Sequence, residues 1–517
     1  MTRVALARRR RERVSAPTSV IAAAVAVALV SLIPLGFIVV YALTLSPTQS
    51  LDLLVRPRMG ELLFNTVRLV VGGCALSLVL GVGCAWLVER SDLPLRPMWH
   101  LLATAPLAVP AFVNSYGWSS LAPSAEGFIG ALLIVTLSYF PLVYLPTAAS
   151  LRGLDPALEE VAYSQGLSRW TTFVRVTLPQ LVPAMIGGAL LVGLHLLAEF
   201  GALQMLRYPT FTTAIYDQYQ SSFSSAGANV LAAVLVLCCL ALLMVDLRLR
   251  AHRRFARVGS GVPRQPVAVT LGHWTRPAQA ALALLAALSL GVPLYSLTHW
   301  MIVGSSLSFP LDDLAAAAGT TIVLGLAAAL LAVLAAAPLA WLAVRFRSRL
   351  STTLERSGYV ANSLPGIVVA LALVTVTIRV AQPLYQTVVL LLVAYVILFL
   401  PRALVTMRSA IEQVPPIFED VAHGLGTSNL ATARRITLPI IAPGVGAGGA
   451  LVFLAVGTEL TATLLLAPIG TSTLATRFWA SSSSVAYAEA APYAVLMVLI
   501  SLPATLLLSR RPAAVLL

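Results

Sequence analysis

The sequence predicts an all-α integral membrane protein of about twelve transmembrane helices, arranged as two parallel six-helix repeats. Three observations predict it. The chain is 59% hydrophobic and 10% charged, with a mean hydropathy of +0.89, more apolar surface than a soluble domain can hide. Apolar runs long enough to cross a bilayer alternate with short arginine-bearing segments. A polar stretch then occurs twice at a constant offset of 260 residues, from Glu159 to Glu419 and from Pro179 to Pro439.

Taken in order, a basic N-terminus (1–17) carries Arg3, Arg8, Arg9, Arg10, Arg11 and Arg13. The run that follows, about Thr18–Leu45, leaves a signal peptide open, but it is long and no small-residue cleavage site follows cleanly, so it is read as the first span. Further spans fall near Leu62–Val88, Met98–Leu121, Gly127–Leu151, Leu181–Leu203 and Asn229–Leu247, completing a first half over 18–247. A basic linker (248–276) leads to the second half over 277–511, with spans near Pro277–Val303, Leu314–Val344, Ser357–Ile378, Leu384–Met407, Ile440–Leu466 and Ala488–Leu508. Upstream of the polar stretches the repeat continues at an offset of 255: Arg90 matches Arg345 and Pro110 matches Pro365. Six spans per half give both halves one orientation and a pseudo-two-fold axis along the membrane normal.

Every one of the 34 basic residues is arginine. With the N-terminus inside, 28 of the 34 fall in cytoplasmic segments, which sets the orientation and puts both termini in the cytoplasm. The same clustering between spans argues against a nucleic-acid-binding groove, despite a net charge of +14. Without lysine, the chain cannot bind ATP through a Walker loop. Cys74, Cys84, Cys238 and Cys239 lie in apolar runs without metal-ligand spacing and read as buried thiols. No cofactor is expected. HExxH and G-x-S-x-G are absent, leaving little support for an enzyme.

The repeated stretch lies in loops of about 152–179 and 408–439, both on the cytoplasmic side. Its first copy has Glu159, Glu160 and Ala162, then Gly166 and, after nine residues, Val176-Thr177-Leu178-Pro179; the second has Glu419, Asp420, Ala422, Gly426 and Ile436-Thr437-Leu438-Pro439. Each copy follows a proline and opens with carboxylates, which suits a helix N-terminus. The glycine offers the positive φ of a sharp turn, and the closing proline sits where the next span begins. The expected product is a compact helical knuckle that a soluble partner could grip.

This spacing resembles the EAA loop of binding-protein-dependent ABC importer permeases, with Val161 and Val421 where that family usually has Ala, Asp420 for Glu, and Val176 for Ile. The resemblance implies a type I importer permease fold with two fused halves in a bacterial plasma membrane. It further implies two ATP-binding-cassette ATPase subunits on the two loops and an extracytoplasmic substrate-binding protein on the other side. A finer resemblance, to ferric-iron permeases, rests on Leu197-Ala198-Glu199-Phe200-Gly201, Phe211–Tyr216, Glu459–Leu466, Thr473–Trp479 and Tyr487–Pro492. Permeases for thiamine, aminoethylphosphonate, polyamines or sulfate share parts of these stretches. A twelve-span secondary transporter driven by an ion gradient is the alternative of another class.

Candidate path residues are Glu199, Glu459, His195 and Asn114. Ionisable side chains in spans usually face a cavity, and oxygen donors suit a hard cation such as Fe³⁺. Counted along their helices, the two carboxylates fall near the outer face, where an interfacial position would equally explain them. His195, one turn before Glu199, reads more simply as a core histidine, and Asn114 could instead bond between helices. The linker is expected to tether the halves and to touch anionic lipid.

Overall fold

A computed structural model describes residues 16–44, 56–222, 225–251, 268–304, 311–346, 348–360 and 364–509. The basic segment 1–15 and the middle of the linker, 252–267, lie outside the described residues. Among those described, the regular structure is helical, with one isolated parallel bridge between Ser91 and Val269.

Among the described residues, nine helices are long and apolar enough to span a bilayer: Thr18–Tyr41, Pro57–Arg90, Gly127–Gly153, Arg169–Ala198, Gly227–Val245, Gly272–Val303, Leu311–Arg345, Val388–Glu412 and Ala433–Gly457. The other three expected crossings are shorter. Gly366–Val380 and Tyr487–Pro503 are short apolar helices. The crossing expected over Met98–Leu121 is broken into Arg96–Thr104, a 3₁₀ turn at Ala105–Ala108 and Ala111–Leu121.

The breaks have a common cause. Proline disfavours helical backbone in the residue before it, and Val109, before Pro110, is extended. The chain restarts with Pro110 as the N-cap of Ala111–Leu121, and Pro365 caps Gly366–Val380 in the same way. The 255-residue repeat thus places two helix breaks as well as two spans. Pro183 and Pro443 stand inside their helices at equivalent positions, which membrane helices tolerate when neighbours satisfy the freed carbonyl.

By packing, the chain divides into two compact units. One is drawn from Met1–Ile33, Ala327–Asn362 and Tyr395–Val452. The other is drawn from Pro34–Leu326, Ser363–Ala394 and Phe453–Leu517. The units are not the sequence halves. The start of the first span groups with second-half helices. In the second unit, Ala278, Leu282 and Leu285, from the first span of the second half, pack on Cys84, Trp99, Tyr144 and Leu181 of the first half. Helix-to-helix approach there uses small residues: a Cβ on Gly81 would come within 2.9 Å of the Tyr144 amide nitrogen, and one on Gly188 within 2.7 Å of Val143 Cα. An aromatic core in the same unit joins Phe112, Tyr116, Phe200, Phe478 and Trp479. Its edge-to-face Tyr116–Phe478 pair has ring centroids 5.3 Å apart.

Candidate functional site

Each polar stretch folds as the sequence pattern requires. Ala157–Ser164 forms the first short helix, with Glu159 and Glu160 in its first turn. Gly166 ends it at φ +79°. The Gly166 amide donates to Tyr163 O at 3.0 Å and the Leu167 amide to Ala162 O at 3.1 Å, the double bond of a Schellman cap. Ser168 then caps Arg169–Thr172 by accepting from the Thr171 amide at 3.2 Å. A single π turn, Phe173–Thr177, feeds the spanning helix Leu178–Ala198, with Pro179 in its first turn.

The second copy reproduces this bond for bond. Its helix is Pro416–Gly424, and Gly426 stands at φ +81°. The Gly426 amide donates to His423 O at 2.9 Å and the Thr427 amide to Ala422 O at 3.1 Å. Ser428 accepts from the Ala431 amide, and a π turn at Ala433–Thr437 leads into Leu438–Gly457. Ala162 and Ala422 are buried, whereas Glu160, Asp420, Val161 and Val421 are exposed. Each knuckle therefore offers one carboxylate set in an apolar surface that also includes Leu158 and Trp170 in the first copy and Phe418 and Leu425 in the second. Leu178 and Pro179 are half-buried, while Leu438 and Pro439 are exposed.

The two acidic positions do different work. Glu159 turns inward: its Oε1 accepts from Arg90 Nη2 at 3.0 Å and from Thr177 Oγ1 at 2.7 Å. Glu419 Oε1 likewise accepts from Arg345 Nη2 at 2.9 Å and from Thr437 Oγ1 at 3.2 Å. The arginines end the preceding long helices, Pro57–Arg90 and Leu311–Arg345, and the threonines close the π turns. A single carboxylate so pins each knuckle to two spans. Sequence reasoning missed this tie, although its signal was present: Arg90/Arg345 and Thr177/Thr437 both obey the repeat.

One described feature belongs to the first knuckle. The linker's end runs beside it, with the Val269 amide donating to Arg90 O at 2.7 Å and the Leu271 amide to Asp92 Oδ1 at 2.9 Å. Arg169 Nη1 also donates to Thr270 Oγ1 at 3.2 Å. The linker's end here contacts protein.

Glu199 and Glu459 sit where their spanning helices break. Leu178–Ala198 stops one residue before Glu199, and short helices, Gly201–Met205 and Thr461–Leu466, follow the two breaks. Glu199 Oε1 accepts the Ala202 amide at 3.0 Å, and Glu459 Oε1 the Ala462 amide at 2.9 Å. Each carboxylate thus caps the short helix after it. The other Glu199 oxygen accepts from the Tyr139 hydroxyl. Tyr139 is the thirteenth residue of the 27-residue span Gly127–Gly153. The Glu199 carboxylate therefore stands at mid-height of that helix. His195 Nδ1 lies 2.8 Å from Leu191 O, and its ring centroid is 5.3 Å from that of Tyr139. Asn114 is buried and donates to Ser138 Oγ at 2.8 Å, a bond between helices.

Comparison with known proteins agrees with this duplicated architecture. The family of binding-protein-dependent transport system inner membrane components matches twice, over residues 77–257 and 328–510. The chain is 41% identical over 473 residues to the Fe(3+)-transport system permease protein FbpB 2 of Haemophilus influenzae, covering 91% of this chain and 93% of that one. The sulfate transport system permease protein CysT of Escherichia coli is 27% identical over 239 residues, which is 42% of this chain but 86% of CysT. The molybdenum transport system permease protein ModB of Escherichia coli is 29% identical over 190 residues, 33% of this chain and 82% of ModB. Relatives of half this length align over most of themselves, as expected of a chain with two permease units. With two matched family domains, two knuckles of one design and an all-helical membrane fold, this chain belongs to the binding-protein-dependent transport system inner membrane components.

Proposed function

We propose that this chain supplies both permease halves of an ATP-binding-cassette importer for ferric iron. Alignment over nearly the whole length, at 41% identity, with a permease whose name specifies Fe(3+) transport supports the cargo. The bond-for-bond repetition of the knuckle supports the engine: two ATPase subunits need two like grips, and the exposed faces around Glu160 and Asp420 provide them. In this reading the loops 152–179 and 408–439 are the grips, and the domain limits are 18–247 and 277–511. The nine long helices, the two shorter apolar ones and the broken crossing at 96–121 make twelve spans. Both termini are cytoplasmic, and a binding protein delivers the ion from the other side. Closure of the ATPase pair moves the knuckles, and the Arg90–Glu159 and Arg345–Glu419 ties carry that motion into the spans.

The test is uptake of labelled Fe³⁺ into proteoliposomes holding this chain with its ATPase and binding protein. Accumulation that requires ATP and the binding protein is the expected result. ATP hydrolysis stimulated by the binding protein without iron uptake would discard the cargo. Uptake driven by an ion gradient without ATP would overturn the class.

A further inference from the structure

We infer that Tyr139 and Glu199, with His195 beside them, form a station for the ferric ion at the helix break of the first half; this rests on the ferric reading above. The repeat isolates the observation. Capping the short helix after the break is accomplished in both halves by the glutamate, through the Ala202 and Ala462 amides. At the offset of 260, Tyr139 corresponds to Phe399 and His195 to Ala455, so the second half has a glutamate without the hydroxyl and imidazole at those positions. Neither group is needed to build the break, and the fold nevertheless sets the Tyr139 hydroxyl on the Glu199 carboxylate and the His195 ring beside the Tyr139 ring.

The chemistry fits a hard trivalent cation. A phenol hydroxyl donating to a carboxylate sets two oxygen donors side by side, and oxygen donors suit hard metals. All three side chains are half-buried. The group stands at a break in a spanning helix and at mid-height of its neighbour, where transporters of repeated design place their substrate sites. Binding exchanges one cation for another: the Tyr139 hydroxyl releases its proton to water, and Fe³⁺ takes the phenolate and the Glu199 carboxylate. No electron moves. No group of three or more His, Cys, Asp or Glu side chains able to hold a metal occurs among the described residues. A donor set this small suits an ion that must leave again.

Two measurements test the station. Ferric nitrilotriacetate titrated into the purified chain should raise a visible phenolate-to-iron charge-transfer band that Tyr139→Phe abolishes. In the reconstituted importer, Tyr139→Phe should lower ferric uptake by about tenfold, the effect of one lost favourable contact. Glu199→Gln, which keeps an oxygen for the Ala202 amide, should do the same. A parent chain without the band, or undiminished uptake by Tyr139→Phe, would overturn the station while leaving the importer intact. A parent complex that moves no iron under the same conditions would overturn the ferric reading itself.

Discussion

Replacing Arg90 by Met probes the tie that holds the first knuckle. The Arg90 side chain is 4% exposed and that of Glu159 15%. Removing one partner of a buried pair costs about 3–5 kcal/mol. Two features reduce that here. Glu159 retains the Thr177 hydroxyl bond at 2.7 Å and some solvent, so the loss falls to about 2 kcal/mol, the strength of one hydrogen bond to a charged group. Arg90 Nε and Nη1 are also buried without a protein partner, so the arginine itself is costly to bury. A change of about 2 kcal/mol is roughly a thirtyfold shift in the docked population of the knuckle. Hydrogen exchange of the purified chain in nanodiscs reads this directly. Amides of residues 157–167 should exchange roughly thirtyfold faster in Arg90→Met, with those of 417–427 unchanged. Arg345→Met should show the mirror pattern with a larger effect, because it also strips two hydrogen bonds from the Val414 carbonyl, each 3.2 Å. The double variant Arg90→Met, Glu159→Met should exchange more slowly than Arg90→Met alone, since an apolar pair leaves no orphaned charge. Unchanged exchange in Arg90→Met, or strictly additive effects in the double variant, would refute the reasoning.

Three further outcomes follow from the same geometry. Gly166→Ala and Gly426→Ala meet no neighbouring atom within 4 Å, so their cost is the left-handed backbone alone, about 1–2 kcal/mol; in copurification with the ATPase, Asn at either site should bind better than Ala, and Pro, which also removes the donor to Tyr163 or His423, worst. Glu160→Lys and Asp420→Lys reverse exposed charges, so the melting temperature in detergent should hold to within about 0.5 kcal/mol of stability, while ATPase copurification falls; retention of the ATPase by the double reversal would remove these carboxylates from the grip. Gly188→Ala forces a Cβ to within 2.7 Å of Val143 Cα and 2.9 Å of Leu142 O, an overpacking of about 1–3 kcal/mol, and thermal unfolding should show a destabilisation that Gly83→Ala, with open space around it, does not.

Much of this protein was legible in its sequence because the bilayer restricts what a chain can do. Unpaired backbone groups cannot face lipid, so apolar runs of spanning length become helices and arginines mark the ends. The repeat carried more: Gly166 and Gly426 announced the two turns, and Pro110 and Pro365 stood at the two helix breaks because proline constrains the residue before it. What the sequence could not display was who meets whom. Glu159 and Glu160 are adjacent and chemically alike, yet one turns in to Arg90 and Thr177 and the other faces out, since only the packed helix decides which side is covered. The packing of the second half's first span on the first half is decided in the same way, by which surfaces around Leu282 and Cys84 fit together. Tyr139 reads as one more residue of an apolar span until the fold brings it to Glu199, 60 residues on. Local rules act over a few residues and leave their mark in the sequence; contacts between distant residues are chosen by packing, and only the tertiary structure records the choice.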